Sequence, residues 1–336
     1  MISFTLPYSL QAVELTFSQG LSPFSPPSLS MYATLHVTMG NHANAYRIGN
    51  LAMATLDRVQ CKEVFGSTLT QCKALASHWR DPIESLGPSF GQAMEHSFEL
   101  GDLGYALFSC SNSMWQRLYT GENLESVETF QRLAYRRAFQ FGNNPLMLHW
   151  ITPLLQFVIN LRRETSSSVD LVALDGEMVT ESEYIKDALD TNNTGCQKIF
   201  WTCKLLLAYH FDFLEEAAFA VKKLAALDDP LARSYFILYQ WYFLASSVGY
   251  ELHRSTGHRR HLRSARKYHK DLEKLKESPN SAPFLSFLEA QEVEWHRKGN
   301  QAREKWNMRS IKQFASWQEE NGSIWKDWQM SDWHYT

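Results

Sequence analysis

At 336 residues, with 44% apolar and 21% charged side chains, the chain has ample material for a continuous buried core, and disorder over most of its length is excluded. Its formal net charge of −3 supplies no global attraction to nucleic acid or to an anionic membrane. Five cysteines, an odd number set inside apolar stretches, read as free thiols of a reducing compartment and point to the cytoplasm.

Helical periodicity dominates, in segments longer than the globular mean. The first helix is predicted from Pro7 to Gln19, closed by Gly20 and followed by a loop carrying Pro23, Pro26 and Pro27. Leu29 to Met39 and Ala43 to Asp57 form a hairpin about Gly40-Asn41. Cys61 to Ser77 repeats the pattern, with Phe65, Leu69, Cys72 and Ala76 at three- and four-residue steps. Asp81-Pro82 is expected to open the next helix, with Asp as cap and Pro in the first turn, running to Leu100 and stopping at Gly101. Asp102 to Tyr119 and Asn123 to Phe141 pair around Gly121. After Gly142, Asn143-Asn144-Pro145 restarts the chain into Leu146 to Arg163, whose Pro153 should kink it or set off its first part.

The stretch from Val169 to Ser182 is the least helical of the sequence and reads as a hinge, dividing the array into 1–164 and 183–322. Beyond it helices are predicted over Glu183–Asp190, Cys196–His210, Leu214–Leu227, Leu231–His253, His258–Lys276, Pro283–Lys298 and Gln301–Glu320. Leu231 to Tyr250 is rich in Phe, Tyr, Leu and Trp, but Arg233, Gln240 and serines interrupt it, so no membrane span is expected. The last residues, 323–336, with Trp325, Trp328 and Trp333, form either a cap over the end of the array or an aromatic docking strip.

One phrase recurs: helix, Gly, Asn or Asp or Glu, helix, at Gly40, Gly101, Gly121, Gly142 and Gly299. Glycine takes the left-handed conformation that ends one helix, and an Asn or Asp oxygen accepts the orphan N–H groups of the next. The expected fold is therefore all-α, a TPR-like solenoid of stacked helical hairpins over 1–336.

Catalytic motifs are missing. No G-x-x-x-x-G-K-[ST] loop, no kinase Gly-rich loop, no H-R-D and no D-F-G is present, so no cofactor and no catalytic residue is assigned. The sharpest local feature is a basic stretch holding Arg254, Arg259, Arg260, Arg263, Arg266, Lys267 and Lys270. It is either the solvated outer face of one helix or a docking patch for an anion or an acidic partner segment. His258 and His261 have metal-like spacing, but flanking arginines repel a cation and no carboxylate completes the set.

The residues Gly40-Asn41-His42-Ala43-Asn44-Ala45-Tyr46-Arg47-Ile48-Gly49, then Gly101-Asp102-Leu103-Gly104-Tyr105-Ala106 and Tyr119-Thr120-Gly121-Glu122-Asn123, resemble the helical-repeat region of large hybrid sensor kinases. In that family a serine/threonine kinase domain, an AAA-type ATPase module, helical repeats, a GAF domain and a histidine kinase share one polypeptide. Ala208-Tyr209-His210-Phe211-Asp212 resembles a further repeat, with His210-Phe211 where a helix-ending glycine is expected. The resemblance implies a non-catalytic module that contacts a protein partner or a neighbouring signalling domain, standing alone or as a piece of a longer kinase. A sensor that binds a small molecule in a groove between hairpins is the other reading.

Overall fold

Where one helix hands over to the next, the same backbone device recurs five times. In the computed structural model, which describes residues 2–140, 148–162, 172–227 and 234–296, the left-handed residues are Gly40 (φ 77°), Gly101 (φ 72°), Gly121 (φ 81°), Asn192 (φ 50°) and Asp212 (φ 62°). At each, the left-handed N–H donates to a carbonyl three residues back and the following N–H donates to one five back. Examples are Gly40 to Val37 and Asn41 to His36, both 2.8 Å, and Asp212 to Tyr209 at 3.3 Å with Phe213 to Ala208 at 2.8 Å. This is the Schellman closure, which satisfies carbonyls that a helix end would leave orphaned. The residue after it then starts the next helix. Asn41, Asp102 and Asn193 each accept the N–H three residues on, at 3.3, 3.1 and 3.1 Å, so one residue both ends a helix and caps its successor.

Every regular element among the described residues is helical, and fourteen are α-helices. They are α1 (Ile2–Gln19), α2 (Ser25–Thr38), α3 (His42–Val59), α4 (Phe65–Gln71), α5 (Gly87–Glu99), α6 (Leu103–Tyr119), α7 (Leu124–Gln140), α8 (Thr152–Arg162), α9 (Glu181–Asp190), α10 (Thr194–His210), α11 (Leu214–Ala226), α12 (Ile237–Thr256), α13 (Arg259–Glu273) and α14 (Ala282–His296). No helix among the described residues is long and apolar enough to cross a membrane. Gly142, Gly299, the helix expected over Gln301–Glu320 and the tryptophans of 323–336 lie outside the described residues.

Two compact units form. The first comprises the described residues of Met1–Gln116, Ala134–Ile151 and Asp229–Leu238; the second those of Arg117–Leu133, Thr152–Asp228 and Tyr239–Thr336. The described residues 152–162 and 172–227 belong to the same unit.

In the first unit α2 packs on α1 and α3, and Val13, Leu29, Ala52 and Cys72 form a buried cluster. The helix expected over Cys61–Ser77 is instead four pieces: a 3-10 turn at Lys62–Val64, α4, a π-helical turn at Cys72–Ala76 and a 3-10 turn at Ser77–Trp79. The extra residue of the π turn lets the chain place His78 and Trp79 inward together. Asp81 does not cap a helix. Pro82 is extended (ψ 137°), and Asp81 Oδ1 accepts from the Tyr46 hydroxyl at 2.9 Å while α5 starts at Gly87.

In the second unit α8, α9 and α11 pack against α10, with Tyr184 stacked on Phe200 at 5.4 Å. Of the two outcomes expected of Pro153, the second holds: it sets off the residues before it and does not kink a continuous helix. It stands in the first turn of α8, where its missing N–H costs no bond. The stretch 172–180 is non-helical, as expected, yet it is pinned. Val172, Leu174 and Val179 are buried, Gln156 Oε1 accepts the Met178 N–H at 2.9 Å, and Asn160 Nδ2 donates to the Ala173 carbonyl at 2.7 Å. Arg132 adds a bidentate pair to Glu177 at 2.7 and 2.8 Å. Burial works against the charge on Glu128, but the guanidinium groups of Arg132 and Arg162 prevail and hold its carboxyl below the usual range.

Candidate interaction face on α13

Helix α13 is amphipathic to an extreme degree. Leu262, Ala265, Tyr268, His269 and Leu272 are buried, whereas Arg259, Arg260, Arg263, Arg266, Lys267 and Lys270 are exposed. At about 100° per residue these six cations fall within an arc of roughly 120°, opposite the buried stripe.

The seat of the helix is built on α12. Gly257 (φ 71°) reverses the chain, and His253 Nδ1 bonds the His258 carbonyl at 3.0 Å across the turn. Ser246 Oγ donates to the Ala265 carbonyl at 3.0 Å. Trp241 and Tyr242 of α12 lie 6.1 and 6.3 Å from the Tyr268 ring. Below the face runs a polar chain: the Tyr250 hydroxyl lies 3.2 Å from His269 Nδ1, which is 3.5 Å from Glu292 Oε2, while Glu292 Oε1 accepts from Arg266 Nε at 3.0 Å.

The cations divide by their partners. Arg254 lies on α12 and pairs with Glu251, so it stands apart from the α13 row. Arg266 pairs with Glu292, Lys267 lies 4.8 Å above the Tyr268 ring, and Arg260 donates to His261 Nε2 at 3.1 Å. Arg259, Arg263 and Lys270 meet no carboxylate among the described residues. Burial, reinforced by the Arg260 guanidinium, pushes the His261 imidazole below its ordinary value. Its ring stands 6.2 Å from that of His258, and its Nε2 is already engaged by Arg260.

Glu292, 26 positions from Arg266, was not readable as its partner, and neither was the role of Gly249 beneath Ala265. The repeat-junction residues Gly40, Gly101 and Gly121 occupy the expected turns, remote in role from this face. Burial pushes the thiols of Cys72 and Cys196 up to about 12, and Ser109 Oγ lies 2.5 Å from Thr70 Oγ1. Among the described residues no group of three His, Cys, Asp or Glu side chains is placed to hold a metal. The groove lined by Gly20, Leu21, Ser22, Pro23, Arg58 and Val59 is open and has a single charged group.

No protein-family model matches the chain, and no curated protein or solved structure matches it.

Proposed function

We propose that the chain is a non-catalytic, cytoplasmic helical-repeat module, a TPR-like solenoid that binds another protein through the outer face of α13. The observation that carries this reading is the one-sidedness of α13, whose apolar stripe is buried while Arg259, Arg263 and Lys270 face outward and meet no carboxylate among the described residues. Exposed charges of one sign in a row steer and select an oppositely charged partner. The repeated hand-over supports the solenoid: Gly101 and Gly121 stand 20 positions apart, as do Asn192 and Asp212. Resemblance to the helical-repeat region of hybrid serine/threonine and histidine kinases gives the setting, between an ATPase module and GAF and histidine kinase modules.

The test is cross-linking mass spectrometry in extract of the source cells, comparing wild type with Arg259→Glu/Arg260→Glu/Arg263→Glu. Protein cross-links from Lys267 and Lys270 should vanish in the triple variant. Unchanged cross-links, or ATP hydrolysis or autophosphorylation by the purified chain, would overturn the proposal.

A further inference from the structure

We propose that the occupant of this face is an acidic amphipathic helix of a partner protein, laid antiparallel along α13 with its carboxylates on a helical period. The inference rests on the reading of α13 as the contact face and adds the conformation and register of what it binds.

The spacing carries the argument. Arg259, Arg263, Arg266, Lys270 and Lys274 follow one another at steps of four, three, four and four residues. On an α-helix that is a row of about 22 Å with steps of about 5–6 Å. A second helix running antiparallel presents Asp or Glu at i, i+4, i+8, i+11 and i+15, the same steps in reverse order, so each cation meets a carboxylate. An extended peptide shows same-side groups every 6.6–6.8 Å or so, and over four steps it drifts by about one helical turn.

The ends of the row limit it. Asp271 pairs with Lys274 at 2.5 Å, and Glu273 and Glu277 are exposed on either side of Lys274, so the face is a short basic stripe that runs into acid at its C-terminal end and not a continuous track for a polyanion. Arg259, Arg260 and Arg263 crowd the N-terminal half, where the helix dipole is itself positive. An antiparallel partner brings its negative C-terminal end there.

Within the protein, Glu292 of α14 already supplies one such carboxylate. Its Oε1 is 3.0 Å from Arg266 Nε, so an incoming helix displaces it or leaves Arg266 to it.

The experiment uses the purified full chain and fluorescence anisotropy with three probes: a helical Ala/Gln-based peptide of about 20 residues carrying Glu at the in-register positions, the same composition with Glu at alternate positions, and a single-stranded oligouridylate. The in-register peptide should bind at least about tenfold tighter than its isomer, which is about 1.4 kcal/mol. Its affinity should fall steeply from about 50 to about 300 mM salt. Arg263→Glu/Lys270→Glu should lose about tenfold and recover it with a peptide carrying Lys at the two facing positions, a rescue that an unfolded variant cannot show. Glu292→Gln, which removes the charge that competes for Arg266, should tighten binding about two- to threefold.

Equal affinity for the two peptides, or tighter binding of the oligouridylate, overturns the helical partner while the α13 face survives as a contact site. No binding to any probe, with partner cross-links unaltered in the charge-reversed chain, overturns both.

Discussion

Gly249 of α12 and Ala265 of α13 approach so closely that a Cβ added at Gly249 would stand 2.9 Å from both the Cβ and the backbone nitrogen of Ala265. Real side-chain carbons do not sit that near to backbone atoms, so this one pair sets the depth at which α13 lies on α12. Everything outside α13 inherits its height from that contact.

Gly249→Ala should therefore destabilise the chain even though Ala is the better helix former. Overpacking against backbone costs about 1–3 kcal/mol and outweighs a propensity gain of about 1 kcal/mol. The matched comparison is Gly91→Ala in α5, where nothing lies within 4 Å of the new methyl. That change should stabilise by about 0.5–1 kcal/mol. Urea midpoints of the two variants should move in opposite directions; a rise for both would show that the α12–α13 crossing has slack.

The hand-over residues make a second pair of opposite signs. Asp212→Gly should stabilise by about 1 kcal/mol, because a left-handed Asp is replaced by the residue with no Cβ clash. Gly101→Ala should cost about 1–2 kcal/mol for the reverse reason. Thermal melts followed by circular dichroism suffice, and the idea fails if Asp212→Gly melts lower than wild type.

Asn160→Ala tests whether 172–180 is pinned from below. Asn160 is fully buried, donates to the Ala173 carbonyl at 2.7 Å and accepts from Gln156 Nε2 at 2.8 Å. Truncation leaves both partners short of a bond inside the protein, a loss of about 2–3 kcal/mol. Amide exchange at Met178, held by Gln156 at 2.9 Å, should accelerate in the variant. Wild-type exchange there would mean that the loop is held by its apolar anchors alone.

His78 predicts acid sensitivity. It is fully buried, and burial pushes its imidazole from the ordinary 6.5 down to about 3, although the Ser234 carbonyl at 2.7 Å works the other way. The folded protein keeps this ring neutral down to about pH 3, while the unfolded chain takes up a proton near 6.5. The contribution of the neutral ring is present above 6.5 and is lost as the pH falls toward 3, at about 1.4 kcal/mol per pH unit in that window. Urea midpoints at pH 7 and pH 5 should separate less in His78→Gln than in wild type, by about one proton's worth. Parallel profiles would refute a buried neutral His78.

Legibility followed the range of the interactions. The turns at Gly40, Gly101 and Gly121 could be read because glycine advertises a left-handed residue, and the Asn or Asp after the first two advertises a cap. The equal turns at Asn192 and Asp212 were silent, since neither residue declares which conformation it will take, and His210-Phe211 only marked an expected glycine as missing. Periodicity also located the exposed side of α13 and its cations. It could not show that 172–180 is fastened, because Gln156 and Asn160 bind backbone groups there, which every residue carries and no side chain advertises. Nor could it show the π turn at Cys72–Ala76, where inward placement of His78 and Trp79 overrides a regular apolar stripe.

Because Asn193 closes α9 and opens α10 at once, the chain has no spare length between those helices. Inserting a single residue there would rotate α10 by about 100° relative to α9. Cys196, Phe200, Cys203 and Leu207, all fully buried, would swing out of the core together. Changes in chain length are therefore excluded at this hand-over.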